Sequence, residues 1–315
     1  MRLRYILSLL FLLFCMAFSG TSNAQDAFRE YVNQDGWSIG MHVGLADLWG
    51  DIGTKSMVTH YTNNKYFDKV AVIGGLFGRY SIHPCLAVRL QASYGTLYAT
   101  DKWNTSNATS ATLVGDDAYQ RYIRAQNVKD YIFEGTVLFE LNFMRFNPES
   151  HNASKKGQPF LALGFTYFHF NPYSTVGNSS AWVPIHDLHL EGQGWGDGYP
   201  KQYSLWQPAI PIAFGYKWDL SPHINFGIEY MYRYTFTDYL DGVSGKYVDP
   251  SEYQKHMSAS DAVIAQQVAD KGYYLGLGPK NTAANMRGNP STKDAYSTIT
   301  FTLAYKINTN TRRWW

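Results

Sequence analysis

The sequence predicts an all-β protein, an eight-stranded antiparallel transmembrane β-barrel with short periplasmic turns and long extracellular loops. Three observations predict it. The chain begins with the layout of an exported protein, successive segments alternate apolar with polar residues, and the connections between them alternate in length.

The export signal comes first. Arg2 and Arg4 precede an apolar run from Ile6 to Phe18, and the small-residue site Ser22-Asn23-Ala24 follows, which is the three-part layout of a secretory signal peptide (residues 1–24). Cys15 lies in the apolar run behind Phe14, where a lipoprotein-type site needs a small residue, so it is expected to leave with the signal. Cys85 then remains alone, and no internal disulfide can form. No later stretch has the roughly eighteen uninterrupted apolar residues of a membrane helix. A membrane protein without such a helix must close its backbone hydrogen bonds in a barrel. The 315 residues are long enough for one large all-β domain. Losing Arg2 and Arg4 from the 27 basic residues balances them against the 25 acidic ones, so no nucleic-acid partner is indicated.

Eight segments carry the strand period. WSIGMHVGL sets Trp37, Ile39, Met41, Val43 and Leu45 opposite Ser38, Gly40, His42 and Gly44. VAVIGGLFGRYSI is more apolar on both faces but carries Gly74, Gly75 and Gly78. In CLAVRLQASYGTLYA, Leu86, Val88, Leu90, Ala92, Tyr94 and Tyr98 form one face against Arg89, Gln91, Ser93 and Gly95. YIFEGTVLFELNF sets Tyr131, Phe133, Val137, Phe139, Leu141 and Phe143 against Glu134, Thr136, Glu140 and Asn142. PFLALGFTYF and PAIPIAFGYKW present Leu161, Leu163, Phe165 and Tyr167, and Ile210, Ile212, Phe214, Tyr216 and Trp218. From His223 to Asp238 the even positions Ile224, Phe226, Ile228, Tyr230, Tyr232, Tyr234 and Phe236 are apolar or aromatic, against Asn225, Glu229, Arg233 and Thr235. AYSTITFTLAYKI repeats the rule with Ile299, Phe301, Leu303, Tyr305 and Ile307 against Thr298, Thr300, Thr302 and Lys306. A period of two with one apolar face is that of an amphipathic strand.

The connections at His83-Pro84, Asn147 to Gln158 and Asp219 to His223 are short or compactly polar. Those at Gly50 to Asp68, Thr100 to Asn127, Asn171 to Gln202 and Asp241 to Asp294 are long. Short periplasmic turns with long external loops are the outer-membrane arrangement, and a soluble sandwich explains this one-sidedness less economically. The apolar faces are expected to meet outer-membrane lipid, with Tyr234 to Tyr239 in or beyond the outer aromatic girdle. An even strand count puts both tails, residues 25–35 and 308–315, in the periplasm, with the barrel at 36–307.

A barrel of eight strands is just wide enough to be filled by side chains, so no open channel is expected. The inward positions include Arg79, Arg89, Glu134, Glu140, Lys217, Glu229, Arg233 and Lys306, both signs in similar number. Buried charges persist when paired, so a charge network plugging the lumen is favoured over a proton relay or catalytic cluster. No catalytic residue, metal or cofactor is assigned. HDLHLE brings His186, Asp187, His189 and Glu191 together, but without a diagnostic ligand spacing, and a solvated loop is favoured there. The glycine-rich EGQGWGDG lacks the flanking strand and helix of a phosphate cradle. SASDAVIAQQVADKG is expected to form a short amphipathic helix on the barrel mouth, capped by Ser260 or Asp261.

Three phrases carry a resemblance: TFTDYLDGVSGKY from Thr235, LADLWGDIG from Leu45, and RGNP from Arg287 followed by DAYSTITFTLAYKI. Together they resemble the PorG-like outer-membrane barrels of Bacteroidetes, a component of the type IX secretion system. The likeness runs in order across most of the mature chain, and DYLDGVSG is its most specific part. It implies a non-enzymatic barrel that associates with periplasmic ring proteins similar to PorK and PorN and fixes the ring at the outer membrane. The matching positions are Gly50 and Asp51, then Asp238, Tyr239, Asp241, Val243 and Ser244, then Arg287 and Gly288. All are expected at the external rim, where Asp and Gly end strands and shape turns, and Asp241 is expected to pair with Arg287. Ring contact would fall instead to the tail Gln25 to Asp35, the turn Asn147 to Gln158 and the tail Asn308 to Trp315. The chain departs from the family in its long Asp241 to Asp294 loop and in ending on RRWW past the last strand. A surface-binding, adhesin-like barrel and an outer-membrane enzyme are the alternatives.

Overall fold

Alternation becomes sheet in the computed structural model, which describes residues 36–53, 71–83, 85–109, 115–143, 157–221 and 223–307. The barrel strands are β1 (Gly36–Trp49), β2 (Val72–His83), β3 (Leu86–Thr100), β4 (Asn127–Asn142), β5 (Gly157–His169), β8 (Trp206–Asp219), β9 (Ile224–Thr235) and β10 (Ala295–Lys306). Each pairs antiparallel with its neighbours, and β1 closes on β10 from Ser38 opposite Lys306 to Trp49 opposite Ala295. The result is an eight-stranded antiparallel barrel with no strand edge in the ring. Among the described residues no helix is long and apolar enough to cross a membrane.

The two faces differ as the period requires. Val43, Leu76, Phe139, Phe214 and Tyr305 stand exposed on the outside, while Arg89, Glu134, Glu140 and Arg233 are buried within. The doubly apolar β2 points Ile73 and Phe77 inward, and the Phe77 ring lies beneath the guanidiniums of Arg79 and Arg89, at 5.2 and 5.6 Å. Gly75 is paired with His42 on one side and Ser93 on the other, so the imidazole crosses it to meet the Ser93 hydroxyl at 3.1 Å.

The described parts of the second, third and fourth long connections are folded, which alternation did not reveal. The second holds α1 (Thr105–Thr109) and α2 (Asp117–Arg124); the third holds a small hairpin, β6 (Pro172–Thr175) with β7 (Trp182–Pro184), extending the upper end of β4. The fourth carries α3 (Pro250–His256), α4 (Ala259–Ala269) and α5 (Lys271–Tyr274). The helix expected from SASDAVIAQQVADKG is α4, but its cap is Ser258, whose hydroxyl accepts from the Asp261 amide, not Ser260 or Asp261. The C-terminal end of α4 lies at the barrel mouth, where Gln126 Nε2, just before β4, donates to the Val268 and Ala269 carbonyls at 3.1 and 2.9 Å. The α4 side chains Ala262, Ala265 and Val268 join Ile185, Leu190 and Tyr253 in a second core built by loops three and four. Tyr98, expected to face lipid, is buried instead under Trp103 and Trp182, at 5.9 and 6.2 Å, because the folded loops cover the top of β3. The signal segment, both tails and most of the turn before β5 lie outside the described residues.

Candidate functional site

Inside the barrel the predicted charges meet. Glu140 on β4 receives Arg79 Nε and Arg89 Nε, each at 3.1 Å, and Lys217 Nζ at 2.9 Å, from β2, β3 and β8. Arg89 also pairs with Glu229. Higher up, Glu134 takes Arg233 Nη2 at 2.7 Å and the Tyr296 hydroxyl at 2.6 Å. Lys306 pairs with Asp219 at 2.5 Å. The structure therefore divides the eight side chains into a lower group around Glu140, an upper pair at Glu134 and Arg233, and a separate Lys306 pair. Asp219 and Tyr296 belong to these groups, and the sequence reading missed both. Asp219 opens the turn motif DLSPH, and Tyr296 precedes the clean part of the β10 alternation.

At the opposite end of the strands the three motif stretches interlock. Glu191, from the third loop, accepts the amides of Ser244 and Gly245, each at 2.8 Å, and Arg287 Nη1 at 2.9 Å. Asp241 therefore does not pair with Arg287, as had been expected. Its carboxyl turns the other way and accepts the amides of Ile52 at 2.9 Å and Val243 at 2.8 Å. Asp51 accepts the Asn289 amide at 2.6 Å, and Ser244 Oγ donates to Asp238 at 2.5 Å. Tyr239 stacks on Tyr203 at 4.5 Å, which takes it out of the lipid-facing girdle. A side chain at Gly50 or Gly288 would displace its neighbours. A Cβ on Gly50 would lie 2.5 Å from Asp241 Oδ2, and one on Gly288 would lie 2.3 Å from Asp51 Oδ2 and 2.8 Å from the Ser244 carbonyl.

Helix α2 clamps this rim from the side. Arg121 and Arg124 both donate to the Asp51 carbonyl, Arg124 Nε reaches Asp101 at 2.8 Å, and Arg124 Nη1 reaches the Arg287 carbonyl at 2.9 Å. Burial works against the Arg124 charge, but the Asp101 carboxylate more than offsets it and raises its pKa. Lys271, 2% exposed, reaches loops two and three through Asn127 Oδ1 at 2.5 Å, Ser174 Oγ at 2.9 Å and Thr175 Oγ1 at 3.1 Å. Neutral oxygens in a buried site stabilise the ammonium weakly, and burial, reinforced by the Arg287 charge, pulls Lys271 down to about 7. Between α2 and the segment before β10 opens a cleft of about 860 Å³. Trp49, Asp51, Arg121, Arg124, Lys293 and Asp294 are among its lining, a mixed surface suited to a polar ligand or a peptide edge.

The HDLHLE residues disperse. His186 meets Asp187 at 2.6 Å and the Tyr203 carbonyl at 3.1 Å, His189 adopts φ 45° to end a short 3-10 turn, and Glu191 is enclosed by the rim amides. Among the described residues no group of His, Cys, Asp and Glu is arranged to hold a metal. The sequence reading missed the structural part Glu191 plays, because its partners lie more than fifty residues away.

A closed barrel with an apolar outer wall, a charge-filled lumen and all its large loops at one end is an integral β-barrel of the bacterial outer membrane. Solved structures similar to this chain have low identity. They include Ail, the attachment invasion locus protein of Yersinia pestis, in complex with the heparin analogue sucrose octasulfate, at 9% identity and TM-score 0.35, covering 86% of this chain and 99% of that one. Neisserial surface protein A gives 9% and 0.36, covering 87% and 98%, and OprG from Pseudomonas aeruginosa 11% and 0.34, covering 87% and 96%. No family model and no curated protein matches the chain.

Proposed function

We propose that this barrel is a non-enzymatic scaffold of the type IX secretion system, holding a periplasmic ring of proteins similar to PorK and PorN at the outer membrane. The observation that supports it concerns the phrases that carry the PorG-like resemblance. LADLWGDIG, DYLDGVSG and RGNP lie far apart in the chain, yet Gly50, Asp51, Asp241, Ser244, Arg287 and Gly288 interlock in one rim assembly. Residues that resemble a family and also depend on one another sterically are stronger support than three unrelated matches. A lumen crossed by ion pairs favours a structural barrel over a conducting one. Ring contact is assigned to the periplasmic tails and the turn before β5. The test is a mild-detergent pull-down of the tagged protein from its own outer membrane, with mass spectrometry of what co-purifies. A periplasmic ring lipoprotein and its partner are expected; a barrel recovered alone from cells with an abundant, intact ring would rule the scaffold out.

A second reading is favoured by the folded loops and their cleft: a surface-binding, adhesin-like barrel. It predicts that trimming the loop from Asp241 to Asp294 abolishes binding at the cell surface while type IX cargo export continues.

A further inference from the structure

We propose that the extracellular cap is closed by a proton-dependent latch, formed by Asp241 and Asp294 where the two ends of the fourth loop meet Gly50. The geometry comes first. The point where a Gly50 Cβ would sit lies 2.5 Å from Asp241 Oδ2 and 3.0 Å from Asp294 Oδ1, so the two carboxyls converge over a backbone that has no side chain to separate them. Asp241 is 1% exposed and Asp294 3%. Their hydrogen bonds come from backbone amides alone: Ile52 and Val243 to Asp241, and Leu240 at 2.8 Å and Asp241 at 3.4 Å to Asp294. Asp294 Oδ1 accepts none of these amides and converges with Asp241 Oδ2 on the Gly50 backbone.

No cation among the described residues is paired with either carboxyl. Arg287 is taken by Glu191, Arg124 by Asp101 and Arg121 by Asp117. Two further acids approach, Asp51 from the end of β1 and Asp238 from the end of β9; Lys293 is exposed beside Asp238, and the Arg124 charge, though paired with Asp101, also reaches Asp241 and opposes its rise without reversing it. Two like charges at close range in a buried site cannot both ionise near neutral pH, so the closed pair keeps at least one proton there. Burial, and then the neighbouring acids, raise both groups, Asp241 to about 7 and Asp294 well above the ordinary carboxylate range. Burial also lifts Asp238 to about 6.

The direction follows from linkage. The closed cap binds more protons than the opened one, so closure is fully favourable below the ordinary carboxylate pKa, weakens as pH rises through about 7 where Asp241 ionises, and weakens further until Asp294 ionises too. What opens is the junction of the fourth loop with β1, because Ile52, Leu240 and Val243 lose their acceptors together.

The experiment is hydrogen exchange with mass spectrometry on the full-length barrel in detergent micelles from pH 5.5 to 8.5, corrected for intrinsic exchange. The barrel strands serve as the internal reference. Protection of residues 238–244 should fall at least about tenfold across this range, the effect of one pKa unit, while β9 and β10 stay protected. Asp294→Asn, neutral at every pH and able to place its NH2 at the Oδ1 position, should flatten the profile; Asp241→Asn should flatten it too, at a lower level of protection because its NH2 displaces one of the two amides that Asp241 accepts, with heat-modifiable gel mobility verifying an intact barrel. Wild-type protection that does not change with pH, or a pH profile retained in both variants, would overturn the latch. So would calcium restoring protection at pH 8.5, because the pair would then be a cation site.

Discussion

The lumen and the external rim both bury carboxylates, by opposite means. In the lumen the two central glutamates face bases: Glu140 has three cations and Glu134 has Arg233. At the rim, Asp241 and Asp294 face backbone amides and each other. The first arrangement ties neighbouring strands together through charge pairs; the second fixes loops whose ends come together with no cation paired to them. A buried ion pair is costly to break once built, whereas an amide-bound carboxyl can be neutralised by a proton.

The comparison can be broken most strongly in the lumen. Glu140→Ala would strand Arg79, Arg89 and Lys217 without their shared acid, with an expected loss of about 3–5 kcal/mol or failure to form the barrel. Urea titration followed by heat-modifiable mobility reads it, and an unchanged midpoint would refute the network. At the rim, Gly288→Ala forces Asp51 or the Ser244 carbonyl to move, costing about 1–3 kcal/mol confined to the loops. Proteolysis of the fourth loop should accelerate while the barrel keeps its midpoint. The smallest effect is Ser258→Ala, which removes the α4 cap at a cost of about 1 kcal/mol. It should raise exchange in α4 and leave the Glu191 and Arg287 neighbourhood unchanged.

The division between what could and could not be read follows from the same contrast. Lumen residues sit on strands, where a period of two fixes inside and outside, so Arg89 and Glu229 could be placed as inward from their own segments. Their pairing was not legible, since barrel closure and stagger set which inward side chains share a level. Rim residues sit on loops without a period. Gly50, Asp51 and Arg287 could be placed at the rim by strand order, but the wrong partner was assigned to Asp241, because Glu191 comes from a different loop.

The sequence by itself determined the barrel. Eight alternating segments, one-sided loop lengths and the lack of an apolar helix leave a single closed arrangement in a solvent that cannot satisfy an open edge. Only the tertiary structure decided that the loops fold into a cap with its own core, that Tyr98 lies under it, and that Asp241 faces Asp294. Those outcomes depend on contacts between residues tens to hundreds of positions apart, and the local pattern of neither partner records them.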